Sequence, residues 1–487
     1  MQEVGLGQVF QAIEQAFKDK EYPRVEALLW PAIDQFNDHP ALWFYAANLF
    51  FARELSALAA ACYERSLELE PNSVALANLG ACYRRMNQHE RAIEVLQRAT
   101  EYDQDNPGTW TNLGACYVNE GDPRPGIVAC ERALQIKPGF PRAEWNLGLL
   151  HLEAGDFDNG FRLYRSGLGK ERLLRYYHGP DIDTPGENEP ELLDRRHLGK
   201  LTGRKVVVWG EQGLGDELMF ANCLHELLAE GCQVVFEHHP RMTAIYQAAF
   251  GKYTSLTLIP TRKANTAAEA MKHGPFDYRC GVGDLACLFR RSADDYAEAW
   301  RDYGPFWPCA DQGIRAEYRA RLEELAAGRK IIGLATRGGV IKTMRSYRTI
   351  GIGDLAPLLK LSDRFLFVCF DYEDVGEAVL AVNQKHGESA MCWPRAAVQH
   401  FDYDHTHALV LATDRLVTVC QSIAHLAAGS GHPTDVLVPS KPAWRYGLQG
   451  SEWFLYPGPH ARLHRQKGDS WEEAVHSTVE ALCAGGK

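Results

Sequence analysis

Several things are missing from this sequence, and each absence removes a class of protein. Its 13 cysteines contain no Cys-x-x-Cys pair. That speaks against a zinc-ribbon site and against the disulfide framework of a small secreted domain. No run approaches the roughly 18 uninterrupted apolar residues of a membrane span. The opening MQEVGLGQVFQAIEQAFKDKEY is amphipathic and carries acids, without the basic start and apolar core of a secretory leader. There is no excess of positive charge: the formal net charge is −11, so a nucleic-acid backbone is excluded as the main partner. A reducing cytoplasmic location, with no integral membrane segment, is the expectation. Length allows about three domains.

What is present first is a repeat. NLGACY begins at Asn78 and again at Asn112, and NLGLLH begins at Asn146, an interval of 34 residues each time. ERSLELEP from Glu64, QRATEYDQ from Gln97 and ERALQIKP from Glu131 keep the same phase, with Pro71 and Pro138 as breakers. Each unit therefore reads as helix, turn, helix, breaker. Gly80, Gly114 and Gly148 allow close helix approach, and Leu79, Leu113 and Leu147 fill the seam. A degenerate unit precedes them at 41–69. Cys82 and Cys116 hold equivalent repeat positions and read as packing residues. Units of this kind bury their apolar faces only by stacking, which produces a solenoid with a concave surface. The expected solenoid spans 5–177. Its groove is read as a polypeptide-binding surface, with a spacer or dimerisation element as the alternative.

The composition then turns to Pro, Gly and charge, and 178–203 is expected to be a linker. Beyond it, strands alternate with helices: KVVVW from Lys205, QVVFE from Gln233, SLTLI from Ser255, KIIGLA from Lys330, FLFVCF from Phe365, RLVTVC from Arg415 and DVLVP from Asp435. Such alternation predicts mostly parallel sheets. Two Rossmann-like lobes are expected, at 204–305 and 306–487. Ligands in such sheets sit outside the carboxyl ends of the strands.

Four loops at those ends carry candidate chemistry. In WGEQGLGDELMF, Gly210, Gly213 and Gly215 permit a tight turn, and Asp216 stands at a helix N-terminus, where it serves either as an N-cap or as a reactive carboxylate. Glu211 and Gln212 share that loop. After RLVTVC, Ser422 is expected to cap a short helix whose free N–H groups suit a diphosphate, and His425 in its first turn could donate to a phosphate or be a core histidine. In KPAWRYGLQG, Trp444, Arg445 and Tyr446 offer flat faces and a cation for a nucleotide or sugar. TRGGVIKTMRSYRTI has four basic residues, Arg337, Lys342, Arg345 and Arg348, and no acid, which suits a diphosphate clamp.

Taken in order, GEQGLGDELMFANCL, MRSYRTI, VCQSIAHLAAGSGHPTDVLVPSKPAWRYG and RLHRQKGDSWEEAV resemble the heptosyltransferase-type (family 9) glycosyltransferases in the form fused to tetratricopeptide repeats (TPR) in bacteria. The Leu-Gly-x-x-Tyr box and 34-residue period resemble TPR units. A broader similarity reaches the O-linked N-acetylglucosamine transferases. The resemblance implies a TPR α-solenoid followed by an α/β GT-B unit with an acceptor-side and a donor-side lobe. It implies inversion at the anomeric carbon, a nucleotide-sugar donor, no cofactor and no metal. It places the general base on Asp216 and donor contacts on Ser422, His425, Lys342, Arg337, Arg348, Trp444, Arg445 and Gln421. Where many family members carry Asp before the His-containing helix, this chain has Cys420 and Gln421. The expected acceptor is a protein hydroxyl held by the TPR groove, and self-association is open. Assembly of surface polysaccharide or lipopolysaccharide, and a non-catalytic TPR scaffold, are the alternatives.

Overall fold

The computed structural model describes residues 3–167, 190–210, 213–261, 267–338, 348–371, 375–387, 390–392 and 403–484. It divides into two compact units, Met1–Leu150 and His151–Lys487.

The first unit is helical: α1 (Glu3–Lys18), α2 (Tyr22–Gln35), α3 (Pro40–Ala52), α4 (Ser56–Leu69), α5 (Ser73–Arg85), α6 (His89–Tyr102), α7 (Pro107–Tyr117), α8 (Arg124–Ile136) and the greater part of α9 (Pro141–Glu153). The 34-residue period is visible in atoms. Asn72 accepts from the N–H groups of Val74 and Ala75 to cap α5, and Asn106, one period later, caps α7 through Gly108 and Thr109. A Cβ on Gly80 would lie 2.4 Å from Leu96 Cγ, and one on Gly114 would lie 2.3 Å from Cys130 Sγ. Both contacts bring the first helix of a hairpin directly against the second, at equivalent places in successive repeats. Cys82 and Cys116 are fully buried among these seams, as packing residues should be. The core is alanine-rich, with Ala46, Ala59, Ala75, Ala92 and Ala99 fully enclosed, because close-set helices leave little room for larger side chains.

The second unit begins with the end of α9 and with α10 (Phe157–Gly167). The solenoid expected to run to 177 thus gives way at 150, for a physical reason. Phe161 of α10 packs edge-on against Trp444 at 5.5 Å and against Phe220 at 6.2 Å, so α10 belongs to the aromatic core of the α/β unit.

Two parallel sheets follow. The first is ordered β1-β5-β2-β3-β4, from β1 (Glu191–Leu192), β2 (Lys205–Trp209), β3 (Gln233–Glu237), β4 (Leu256–Ile259) and β5 (Tyr278–Gly281). Its helices are α11 (Leu214–Ala221), α12 (Leu224–Ala229), α13 (Thr243–Phe250), α14 (Ala267–Met271) and α15 (Asp284–Phe289). β1 corrects the linker expectation. Residues 190–203 add a strand to the sheet edge, bury Leu193 and Leu201, and form a turn capped by Asp194 and His197. Two residues of strand are too few to leave a pattern in sequence.

After α16 (Ala293–Tyr303) and α17 (Gln312–Ala326) comes the second sheet: β6 (Lys330–Ala335), β7 (Phe365–Cys369), β8 (Ala390–Cys392), β9 (Arg415–Val419), β10 (Thr434–Val438) and β11 (Ala461–Arg465). It is covered by α18 (Ala356–Leu359), α19 (Gly376–His386), α20 (Tyr403–Leu411), α21 (Ser422–Gly429) and α22 (Glu472–Ala484). Burial on both faces explains its continuous apolar strands. Ile332, Leu334, Phe367 and Val417 face one cluster, and Ile331, Ala335, Val368 and Leu416 face the other. Inside the sheet, the buried Asp435 accepts from Arg415 and pairs with His464, both at 2.8 Å, which ties β9, β10 and β11 together.

The order β11-β10-β9-β6-β7-β8 is, in chain order of the six strands, 6-5-4-1-2-3. That is the doubly wound arrangement, which opens a crevice where the winding reverses, between β6 and β9. The first sheet reverses between β2 and β5.

Burial holds several histidines of this unit neutral, four of them with a well-defined shift. Desolvation takes His407 and His432 down to about 3 and His225 and His238 down to about 4. The unfolded chain binds protons below about 6.5 while the folded one does not, so stability falls as pH drops from there toward 4. Between pH 7 and pH 5 the loss should be about 2 kcal/mol for each histidine. Urea unfolding followed by tryptophan fluorescence at both pH values measures it, and an unchanged midpoint would contradict the burial described.

Candidate active site at the strand ends

The candidate site lies where the loops after β2, β6, β9 and β10 converge. The contacts begin with two glycines. A Cβ on Gly215, in the first turn of α11, would come within 3.3 Å of Ser422 Cα and 3.5 Å of His425 Cδ2. The N-terminal turns of α11 and α21 therefore touch, which joins the loop after β2 to the loop after β9. A Cβ on Gly338 would lie 2.8 Å from the carbonyl oxygens of both Arg348 and Cys420, which joins the loop after β6 to the same place.

Asp216 is not the N-cap of α11. Gly213 holds that position without a side-chain cap, and Asp216 stands in the first turn. Its Oδ1 lies 2.5 Å from Nη1 of Arg445, with both side chains partly shielded from solvent. Burial works against the Arg445 charge, but the Asp216 carboxylate outweighs it and raises the guanidinium above its ordinary value. Two of the sequence-derived candidates, from loops more than 200 residues apart, are thus brought into one ion pair.

The loop after β10 is built by a residue the sequence did not single out. Arg465, the last residue of β11, donates to the carbonyls of Tyr446, Gly447, Gln449 and Gly450 at 2.7–3.0 Å. Trp453 Nε1 donates to the Arg445 carbonyl at 2.8 Å. Arg445 is held at its own carbonyl and through the residues that follow it, while its side chain reaches Asp216.

Other candidates have structural duties. Trp444 is buried against Phe161 and offers no free face to a ligand. Both ring nitrogens of His425 face tyrosine hydroxyls, Nδ1 with Tyr456 at 3.2 Å and Nε2 with Tyr446 at 3.3 Å. Burial, with Arg445 adding to it, holds this histidine well below its ordinary value, as a neutral side chain whose two nitrogens are turned to tyrosines. Tyr446 is buried and stacked on Trp453 at 5.2 Å. Ser422 does not cap α21. Gln421 occupies the cap position, and the Ser422 hydroxyl pairs with Tyr403 at 2.8 Å. The Gln421 amide turns inward, donating to Thr418 Oγ1 at 3.1 Å and to the Ala335 carbonyl at 3.4 Å, which spans the ends of β9 and β6. Cys420 is buried, and desolvation pushes its thiol up to about 12, so it stays protonated.

The basic loop is closed at its base. Thr336 and Arg337 donate their N–H groups to Asp371 at 2.8 and 3.1 Å, Thr336 Oγ1 adds a third bond at 2.6 Å, and Arg337 pairs with Thr349 in an antiparallel bridge. Desolvation raises the Asp371 carboxyl above its usual range, with these bonds opposing it. Arg348 acts electrostatically on Cys420 and Tyr446, which puts its charge beside the α21 loop. Glu211, Gln212, Lys342 and Arg345 lie outside the described residues.

Tyr403 and Arg241 also escaped the sequence reading. Arg241 follows β3 and lies 5.3 Å over the Tyr403 ring, with its Nε buried and lacking a hydrogen-bond partner among the described residues. A search of every loop following a strand would have included Arg241. Among the described residues there is no cluster of metal-ligating side chains, and no helix is long and apolar enough to cross a membrane.

A TPR-repeat model matches residues 80–121. The N-terminal region is thus a TPR helical repeat, and the C-terminal part is a parallel α/β unit. Among proteins of known name, it is 25% identical to Protein FlbA of Caulobacter vibrioides over 290 residues, 58% of this chain and 47% of FlbA. It thus spans just under half of that relative. Among solved structures, MamA is similar at 20% identity over 33% of this chain and 95% of its own, with a TM-score of 0.30. YrrB, described as a TPR protein with an unusual peptide-binding site, is similar at 19% identity over 32% and 81%, with a TM-score of 0.29.

Gly338→Ala tests the convergence of loops. A methyl group between two backbone carbonyls has no flexible neighbour to displace, so the substitution should cost about 1–3 kcal/mol. Thermal unfolding should show a drop of a few degrees, and wild-type stability would mean that the β6 and β9 loops are not packed together.

Proposed function

We propose that the chain is an inverting glycosyltransferase of the two-lobed GT-B type, cytoplasmic and independent of metal. It moves a sugar from a nucleotide-sugar to a hydroxyl of a protein held by the TPR groove. The observation that carries the reading is the Asp216–Arg445 pair, set beside the N-terminal turn of α21 at the rim of two parallel sheets. A carboxylate can take the acceptor proton, and a guanidinium and a helix N-terminus can stabilise the leaving diphosphate.

Asp216 accepts the proton of the acceptor hydroxyl as that oxygen attacks the anomeric carbon. The bond from that carbon to the diphosphate breaks, and the leaving nucleoside diphosphate takes the electron pair. Its charge is met by the free N–H groups of α21, by Arg445 and by the basic residues flanking the β6 loop. The acceptor oxygen enters from the opposite side, so the anomeric configuration inverts. Neither His425 nor Trp444 takes part.

A second reading is a TPR scaffold whose α/β unit no longer catalyses. It is favoured by Cys420, a protonated buried thiol where the resembling family often has Asp. Thermal unfolding with UDP, GDP, ADP, CMP and their sugars at millimolar concentration separates the two. A ligand at about 100 times its dissociation constant adds roughly 2.7 kcal/mol. A shift with one nucleotide supports the transferase, and none with any favours the scaffold. With that donor and an acceptor protein, Asp216→Asn should lower turnover by about 10²-fold or more. Full activity in the variant would remove Asp216 as the base.

A further inference from the structure

The ion pair that identifies the site also poses a problem for the transferase reading, because the proposed base is already occupied. Arg445 Nη1 lies 2.5 Å from Asp216 Oδ1 as an ion contact without hydrogen-bond alignment, and accepting a proton would cost the carboxylate that electrostatic partner. The guanidinium is at the same time an underused donor, since its Nε is buried with no hydrogen-bond partner among the described residues. Its own carbonyl is held by Trp453 Nε1 and the carbonyl of the next residue by Arg465, so re-aiming falls to the side chain. What lies within its reach is the N-terminal turn of α21. Gly215, one residue from Asp216, packs on Ser422, and the Arg445 charge acts on both His425 and Cys420.

We propose that Arg445 is shared between the base and the donor: it pairs with Asp216 until a nucleoside diphosphate sits at the α21 turn, then turns to the diphosphate and releases the Asp216 carboxylate. This rests on the transferase reading and adds to it an order of events. The base becomes competent only when the donor is bound, so an acceptor hydroxyl arriving alone meets a carboxylate already engaged. Arg445 acts here as a positioning residue toward Asp216 and as a ligand toward the diphosphate. The two anions compete for one cation, and that competition is measurable without turnover.

The experiment is a double-mutant cycle read by isothermal titration calorimetry with UDP, GDP and ADP on the full chain. Asp216→Asn removes the competing carboxylate with little change of shape. It should tighten the diphosphate that binds by about fivefold, the size expected for one partly exposed ion pair. In an Arg445→Gln background the same Asp216→Asn change should have no effect on affinity. Arg445→Lys, which keeps the charge, should retain part of it and serves as the second variant if Arg445→Gln does not fold. Melting curves without nucleotide establish folding for each variant. A diphosphate that binds wild type and Asp216→Asn equally, or binds the variant more weakly, overturns the sharing while leaving the transferase reading in place. If none of the three diphosphates binds wild type, the sharing is overturned, and the thermal-unfolding panel that includes CMP decides the transferase reading separately.

Discussion

Parallel pairing imposes a constraint that the rest of the α/β unit obeys. Strands that all run one way need a crossover between each pair, and the crossovers here are helices that cover both faces. The interior strands are therefore largely apolar beyond their first residues, and the candidate polar chemistry stands at the rim where strands end and helices begin. Asp216, Gln421, Ser422, Arg337 and Arg445 all stand on that rim. None was drawn from a strand interior, where Asp435 is consumed by Arg415 and His464.

Given that rim, glycine decides which loops meet. Gly215 lets two helix N-termini touch, and Gly338 lets a third loop lie against the second. Two N-termini with aligned N–H groups and few caps make a region favourable to negative charge. The unit meets this internally in part, by placing Asp216 in one of those first turns. The carboxylate that completes the electrostatics of α11 is the same one that takes Arg445, so its chemistry and its structural role are not separable.

The repeat was legible because its period recurs in the sequence itself. Asn72 and Asn106 cap at the spacing that Asn78 and Asn112 announce, and a TPR model matches 80–121. The seven expected strands are all present, since long buried runs such as KVVVW and KIIGLA have no exposed face to hide them. The missed strands are short or interrupted: β1 has two residues and β8 three, β5 holds Arg279, and β11 alternates with Arg462 and His464. At the site, the loops were legible and the roles were not. Type and spacing do not reveal that both nitrogens of His425 face tyrosines, or that Trp444 meets Phe161 from far upstream. Those partners are fixed by tertiary packing, as is Arg465, whose neighbours in sequence suggest only a strand.

Arg465 gathers the loop after β10 through four carbonyl oxygens and no side chain. Carbonyls are common to every residue, so the loop's path depends on few side chains beyond Arg445, the buried aromatics and the glycines at 447 and 450, whose φ is positive. Positions such as Leu448 and Gln449 can drift through evolutionary time without moving the backbone. One guanidinium thus makes that segment a place where recognition could be rewritten by single substitutions while the reacting pair stays where it is.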